Sequence, residues 1–231
     1  NKIFKNKIMK ILKFAEIGLN HMGKTNLLNI YLKKLLALDI DGITIQVLKD
    51  EFYENKYKKF KLSEKTLINF VKKIKKKKKL VGIVTNDKKK KNFFNKLKVD
   101  FYKVLSTSIH DIELIKELNK TIASKIYLST GLVNNKEIKF ILKKINKKKI
   151  SLIHTSFSKK KKDINLNRIT KLKKIFKLPI CYGNHSKNLD SLNYAKKYNP
   201  YAIFFYVKLE KKLKFPDNIH ALKLGDISSF I

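Results

Sequence analysis

KIYLSTGLVNNKEIKFILKKINKKKISLIHT (residues 125–155) contains one complete strand–helix–strand unit. Its two ends, 125–130 and 150–155, are short apolar runs with β-branched side chains, which is typical of buried strands. Between them, NKEIKFILKKI (135–145) places Ile, Phe and Leu at helical spacing. Two such strands joined by a helix indicate a parallel sheet.

The same alternation recurs along the whole chain. Lysine-rich stretches with helical spacing separate eight apolar runs, at 11–17, 42–47, 80–85, 100–105, 125–130, 150–155, 178–183 and 201–207. Eight strands and seven intervening helices predict a (β/α)8 TIM barrel, a fold of about 250 residues. No linker rich in Pro, Gly or Ser interrupts residues 1–231, so we expect a single α/β domain.

Composition narrows the classes of function. The chain has 55 Lys and Arg against 18 Asp and Glu, a net charge of +37, which by itself favours nucleic acid or an anionic membrane as a partner. Arg168 is the only arginine, however, whereas phosphate-gripping surfaces usually favour Arg. We therefore attribute the lysines to composition and expect neither partner. The single cysteine, Cys181, favours a reducing, cytoplasmic setting.

Two histidines follow neighbouring predicted strands. His154 and His185 lie at the C-terminal strand ends, where (β/α)8 enzymes carry their active sites. Two imidazoles in such positions can share one divalent cation. Their spacing matches no metal-binding motif, so hydrogen bonding within a polar barrel mouth is an equally good interpretation.

Charged residues interrupt two otherwise apolar strands. Lys103 either points outward into solvent or holds a phosphate or carboxylate at the barrel mouth. Ser106, Ser129 and the backbone near Gly131 can complete such an anion site, although hydroxyls after strands are also common helix caps. Glu16 is costly to bury alone, which predicts a partner such as Lys103, a metal-bound water or a substrate hydroxyl.

Eight segments in order resemble a known family. They are AEIGLNHMG (15–23), DGITIQ (41–46), FYKVLS (101–106), YLSTGLVNNKEI (127–138), LIHTS (152–156), INL (164–166), CYGNHS (181–186) and FPDN (215–218). Together they resemble the N-acetylneuraminate (sialic acid) synthase family. The resemblance implies a transferase that condenses phosphoenolpyruvate with an N-acetylated hexosamine or its 6-phosphate, in surface-polysaccharide (nonulosonate) biosynthesis. It also implies a divalent metal, with Mn²⁺ favoured over Mg²⁺ or Co²⁺.

The resemblance assigns roles to individual residues. It makes His154 and His185 the metal ligands, Lys103 a catalytic contact to phosphoenolpyruvate, and Glu16 a catalytic carboxylate near the reacting carbons. The substrate-binding residues that we expect beside them are Asn20, Gln46, Ser106, Ser129 and Ser156.

Several positions depart from the family pattern. Thr44 stands where the family usually has Lys, Ser108 where it has an acidic residue, and Asn184 where it has Asp. The family's C-terminal antifreeze-like domain is not found in residues 1–231, which favours a homodimer or a separate antifreeze-like chain as partner. Two alternatives therefore stay open: another metal-dependent aldol-type lyase or isomerase, and a non-catalytic barrel that binds sugar or metal.

Overall fold

The eight predicted strands pair side by side in chain order. A computed structural model describes residues 10–156, 164–210 and 213–231. All neighbouring strands run parallel, and the last of the eight pairs with the first, so the sheet closes. The predicted TIM barrel is confirmed. Its strands are β1 (Leu12–Glu16), β2 (Gly42–Gln46), β3 (Leu80–Val84), β4 (Phe101–Val104), β5 (Lys125–Ser129), β6 (Ile150–Thr155), β7 (Ile180–Asn184) and β8 (Ala202–Lys208).

Seven α-helices of the described residues cover the outside of the barrel. Each carries an apolar stripe that packs on the outer face of the strands, as Leu67, Phe70 and Ile74 do in the second helix. Asn134 begins the fifth helix in a capping box with Glu137, which satisfies otherwise unpaired N–H groups. The helices are α1 (Thr25–Leu35), α2 (Glu64–Lys76), α3 (Lys91–Lys96), α4 (Ile112–Asn119), α5 (Asn135–Lys143), α6 (Asn167–Phe176) and α7 (Asp190–Lys196).

Aromatic rings fill the lower half of the barrel interior. The ring of Phe14 lies 4.7 Å from that of Phe101 and 4.8 Å from that of Phe204, centroid to centroid. Gly82 makes room for this cluster, because a Cβ atom there would lie 2.1 Å from the Phe101 ring. The lumen is therefore closed below, and a ligand can enter only from the C-terminal ends of the strands.

Two lysines form hydrogen bonds to backbone carbonyls at the N-terminal end of the barrel, opposite the mouth. Lys79, directly before β3, donates to the carbonyls of Leu38 and Ile40 at 2.8 and 2.7 Å. Lys149, directly before β6, donates to the carbonyls of Asn119 and Thr121 at 3.1 and 2.6 Å. These two lysines thus donate hydrogen bonds to backbone carbonyls at or just beyond helix ends.

The chain after β8 returns across the barrel. A short strand, β9 (Leu222–Lys223), pairs with the end of β8, an element that the sequence pattern did not predict. Its approach brings residues 213–220 to the C-terminal ends of β1 and β8.

Within the described ranges, none of the helices has the length and apolar character needed to cross a membrane.

Candidate functional site

An ion pair lies inside the barrel mouth. Lys103 on β4 reaches across to Glu16 on β1, and its Nζ lies 2.6 Å from each carboxylate oxygen. The two side chains are only 3% and 1% exposed, so the pair is shielded from water. The Thr44 hydroxyl donates a longer hydrogen bond, 3.5 Å, to Glu16 Oε1. Of the two orientations open for Lys103, the structure has the inward one, with Glu16 as its partner.

A cavity of about 180 Å³ opens beside this pair. Residues from five strand ends line it, namely Lys103, Leu105, Ser106, Thr107, Ser129, Thr155, His185 and Tyr206. The N–H of Gly131 donates to Ser106 Oγ at 3.1 Å, which fixes the serine at the cavity wall. Four of the predicted site residues, Lys103, Ser106, Ser129 and His185, therefore share one cavity.

The two predicted metal histidines lie on opposite faces of the sheet. His154 is paired in register with Tyr182, whereas Thr155 is paired with Gly183. A Cβ atom on Gly183 would lie 2.6 Å from Thr155 Oγ1, so these two residues face the lumen, as does His185 two positions further on. Successive strand residues alternate in direction, so His154 faces the outer helices instead.

His154 is occupied on that outer side. Its Nε2 lies 2.9 Å from the carbonyl of Ile164 and donates to it. Burial lowers the pKa of His154, and burial together with the nearby charge of Lys103 lowers the pKa of His185 to about 3, so His185 is neutral at pH 7. Both imidazole rings are thus neutral, as metal ligands must be, but they face opposite sides of the sheet and cannot bind the same ion.

The arrangement does not fit a metal ion held jointly by these two histidines. In residues 10–156, 164–210 and 213–231, no group of three or more His, Cys, Asp or Glu side chains is placed to hold a metal ion. The reason is the one-residue alternation along β6, which turns His154 away from the lumen. Metal binding, with Mn²⁺ favoured, stays a prediction.

Two other predicted residues, Asn20 and Gln46, lie away from the mouth cavity. Asn20 is buried, and both ends of its side-chain amide are already hydrogen-bonded. Its NH₂ group donates to the Val207 carbonyl at 2.8 Å, and its oxygen accepts from the Asp217 N–H at 2.9 Å. Gln46 lines a separate cavity of about 280 Å³ between the end of β2 and the start of α2. Ser156 is half-buried directly after β6. Asn20 and Gln46 therefore do not line the cavity that contains Lys103.

Three residues of the mouth were missed by the sequence reasoning. Tyr206 on β8 lines the cavity, and Asp217 and His220 lie beside it in the segment before β9. Burial raises the pKa of Asp217 to about 6 and lowers that of His220 to about 4. The FPDN segment was the available signal for Asp217, whereas nothing in the spacing pointed to His220.

Fold and mouth together define a (β/α)8 barrel protein whose polar site lies at the C-terminal ends of its strands. The model of the NeuB family matches residues 42–231, and the chain belongs to that family. The expectation drawn from the eight sequence segments is thereby confirmed.

Individual relatives agree with this membership. The uncharacterized protein MJ1065 of Methanocaldococcus jannaschii is 29% identical in an alignment 225 residues long, which covers 90% of this chain and 64% of that protein. This chain thus spans less than two thirds of that relative's length. The N-acetylneuraminic acid (sialic acid) synthetase of Leptospira borgpetersenii, solved with citrate, superposes with a TM-score of 0.87 at 24% identity, over 96% of this chain and 81% of that one.

A second solved structure has the same barrel. The spore coat polysaccharide biosynthesis protein spsE of Bacillus subtilis superposes with a TM-score of 0.84 at 16% identity, over 95% of this chain and 65% of that one. At these identities the two structures establish the shared fold.

Proposed function

We propose that this chain is a sialic acid synthase-like enzyme that condenses phosphoenolpyruvate with the aldehyde of an N-acetylated amino sugar. Membership of the NeuB family supports the proposal, as does the shared fold with a sialic acid synthetase and a spore coat polysaccharide biosynthesis protein. The product would serve surface-polysaccharide synthesis.

The observation that carries the proposal is the position of Lys103. Among the described residues that line the mouth cavity, it supplies the one formal positive charge. A phosphate or carboxylate in the cavity would meet this ammonium and the hydroxyls of Ser106 and Ser129. Such charge-assisted hydrogen bonds are about twice as strong as neutral ones.

The ion pair explains why a buried cation is tolerated before substrate arrives. Two charges inside a barrel are costly unless they are paired, and Glu16 pairs with Lys103 through both of its oxygens. A substrate anion competes with Glu16 for the ammonium, so Lys103 must turn toward the cavity when the anion binds. Glu16 is then left close to the reacting carbons, where it can accept a proton.

The proposed reaction balances without further reactants. C3 of phosphoenolpyruvate forms a bond to the sugar aldehyde carbon, and the aldehyde oxygen takes up a proton. Water adds to the former enol carbon and gives one proton to Glu16, which passes it to the aldehyde oxygen. The bond between this carbon and the phosphate oxygen then breaks, and inorganic phosphate leaves with the second proton of the water to give a 2-keto acid. Lys103 and the two serine hydroxyls hold the donor so that its C3 faces the aldehyde, and this alignment lowers the entropic part of the barrier.

Phosphate release tests this proposal. Phosphoenolpyruvate is incubated with the chain and a panel of N-acetylated hexosamines and their 6-phosphates, with Mn²⁺ or with a chelator. We expect release that requires a sugar. It should be lost in the double variant Glu16→Gln/Lys103→Met, which leaves no unpaired charge behind. The exposed Lys65→Met serves as a matched control, and equal rates in all three proteins would contradict the assignment of Lys103.

A second candidate is a barrel that binds sugar without catalysing condensation. The observation that favours it is the same ion pair, because Thr44 brings no second cation to the mouth and Lys103 is engaged by Glu16. Sugar binding in the absence of any phosphate release would support this alternative.

A further inference from the structure

Tyr206 brings a hydroxyl group to the mouth. It lies on β8, is 4% exposed, and lines the cavity that contains Lys103, Ser106 and Ser129. Its interactions with other residues of the described ranges are contacts of the aromatic ring, and its hydroxyl group forms no hydrogen bond among them. Buried tyrosine hydroxyls usually have a hydrogen-bond partner. A ligand in the cavity can therefore supply the partner that these residues do not.

Three neighbours fix the ring of Tyr206. Its centroid lies 4.5 Å from that of His220 and 5.5 Å from that of His185, and both contacts are edge to face. The third neighbour is Gly18, which has φ +58° and where a Cβ atom would lie 2.8 Å from Tyr206 Cε1. A hydrogen-bond donor that is fixed in advance needs no reorganisation when charge develops beside it, which is the condition for electrostatic catalysis.

The phenol of Tyr206 keeps its proton at neutral pH. Burial, together with the nearby negative charges of Glu16 and Asp217, raises the pKa of Tyr206 well above its usual value. A group with so high a pKa is unsuited to transferring its proton near pH 7. Tyr206 is therefore a neutral O–H group that donates a hydrogen bond without giving up its proton.

The barrel places Tyr206 opposite the groups that hold phosphoenolpyruvate in the proposed reaction. Lys103 and Ser129 lie on β4 and β5, across the barrel from β8 and β1. Tyr206 is paired in register with Glu16 on β1, and Lys103 Nζ lies 5.4 Å from the centroid of its ring. The β8 side of the cavity is thus left for the acceptor sugar. Its aldehyde oxygen, which receives the proton from Glu16, then lies beside the side chain of Tyr206.

The aldehyde oxygen needs an electrophilic partner. Attack by C3 of phosphoenolpyruvate places negative charge on this oxygen, which a divalent metal can stabilise. His154 faces the outer helices, however, and the described residues include no group of three or more His, Cys, Asp or Glu side chains placed to hold a metal ion. On the side of the cavity formed by β7 and β8, the hydroxyl donor among these residues is Tyr206.

We propose that Tyr206 is a catalytic residue whose hydroxyl group donates a hydrogen bond to the aldehyde oxygen as negative charge develops there, and that this contact acts in place of a metal ion. No covalent bond to Tyr206 forms, and the proton that the oxygen finally takes up comes from water through Glu16. This inference rests on the proposed function, because it names the group that polarises the acceptor of the same condensation.

The test compares phosphate release from phosphoenolpyruvate and N-acetylmannosamine in the wild type, Tyr206→Phe and Tyr201→Phe. Each protein is measured with Mn²⁺ and with a chelator. Tyr206→Phe removes the hydroxyl group and keeps the ring that packs against His185 and His220. Tyr201 lies directly before β8, at the N-terminal end of the barrel, so Tyr201→Phe is a control with the same chemical change.

We expect Tyr206→Phe to lower kcat about 10²–10³-fold, the loss typical of one oxyanion-hole donor, with KM for phosphoenolpyruvate and the urea midpoint unchanged. The wild type and Tyr201→Phe should release phosphate equally fast with Mn²⁺ and with the chelator.

Equal kcat in Tyr206→Phe and Tyr201→Phe would overturn the assignment of Tyr206. Loss of release from the wild type in the chelator would overturn the part of the inference that replaces a metal ion. A wild type that binds phosphoenolpyruvate and releases no phosphate under either condition would contradict the proposed function itself, and this inference with it.

Discussion

Breaking the Lys103–Glu16 pair on one side should strongly destabilise the barrel. In Lys103→Met, the side chain becomes one atom shorter and loses its charge. Among the described residues, Glu16, which is 1% exposed, then keeps only the 3.5 Å hydrogen bond from Thr44. Removal of one partner of a buried ion pair costs about 3–5 kcal/mol of unfolding free energy. Because neither side chain is more than 3% exposed, solvent screening does not reduce this value.

Urea denaturation of four proteins separates this effect from other causes. The double variant Glu16→Gln/Lys103→Met removes both charges, and we expect it to recover most of the lost stability, because buried pairs replaced by neutral residues of similar volume are often equally stable. The exposed pair of Lys116 and Glu113, 2.9 Å apart, provides the control Lys116→Met, which should leave the midpoint unchanged. A loss below about 1 kcal/mol in Lys103→Met would refute the buried-pair reasoning.

Three further predictions concern single groups. His154→Ala should leave Mn²⁺ affinity, followed by paramagnetic resonance, equal to that of the wild type, because the ring faces away from the cavity; a large loss would show that β6 presents it to the lumen. Arg168 donates to the carbonyls of Thr130 and Val133 at 3.2 and 2.9 Å, so Arg168→Ala should speed amide hydrogen exchange in the β5–α5 loop, and unchanged exchange would contradict this role. The pKa of Asp217 is raised to about 6 in the folded state, so its contribution to stability is present below the unfolded pKa of about 3.9 and is lost as pH rises to about 6. The unfolding free energy of the wild type, relative to Asp217→Asn, should therefore fall across this interval in urea titrations, and a rise would mean that the carboxylate is stabilised as an anion.

The fold was predictable because the same signal recurs eight times. Each strand is a short apolar run followed by a helical stretch, and the predicted limits lie close to the observed ones, as in 178–183 against Ile180–Asn184 for β7. β9 was missed because its two residues carry no periodic pattern and form a strand only where β8 offers a free edge.

The site was predictable where it depends on strand ends. Lys103 and Glu16 stand out because a charged residue within an apolar strand needs a partner, and the barrel brings the two strands' lumen faces together. The orientation of His154 could not be predicted from the motif. A strand shifted by one residue presents each side chain to the other face of the sheet, although its sequence is unchanged. Asp217 and His220 escaped because they lie in an irregular segment, which only the return of the chain across the barrel brings to β1.

Formation of a carbon–carbon bond is the most direct test of the proposed function. The chain is incubated with [3-¹³C]phosphoenolpyruvate and N-acetylmannosamine labelled with ¹³C at its aldehyde carbon, and the mixture is followed by ¹³C NMR. The proposed condensation predicts a one-bond ¹³C–¹³C coupling that grows in step with released phosphate and is absent in Glu16→Gln/Lys103→Met. Phosphate release without that coupling, or binding of both ligands without either signal, would contradict it.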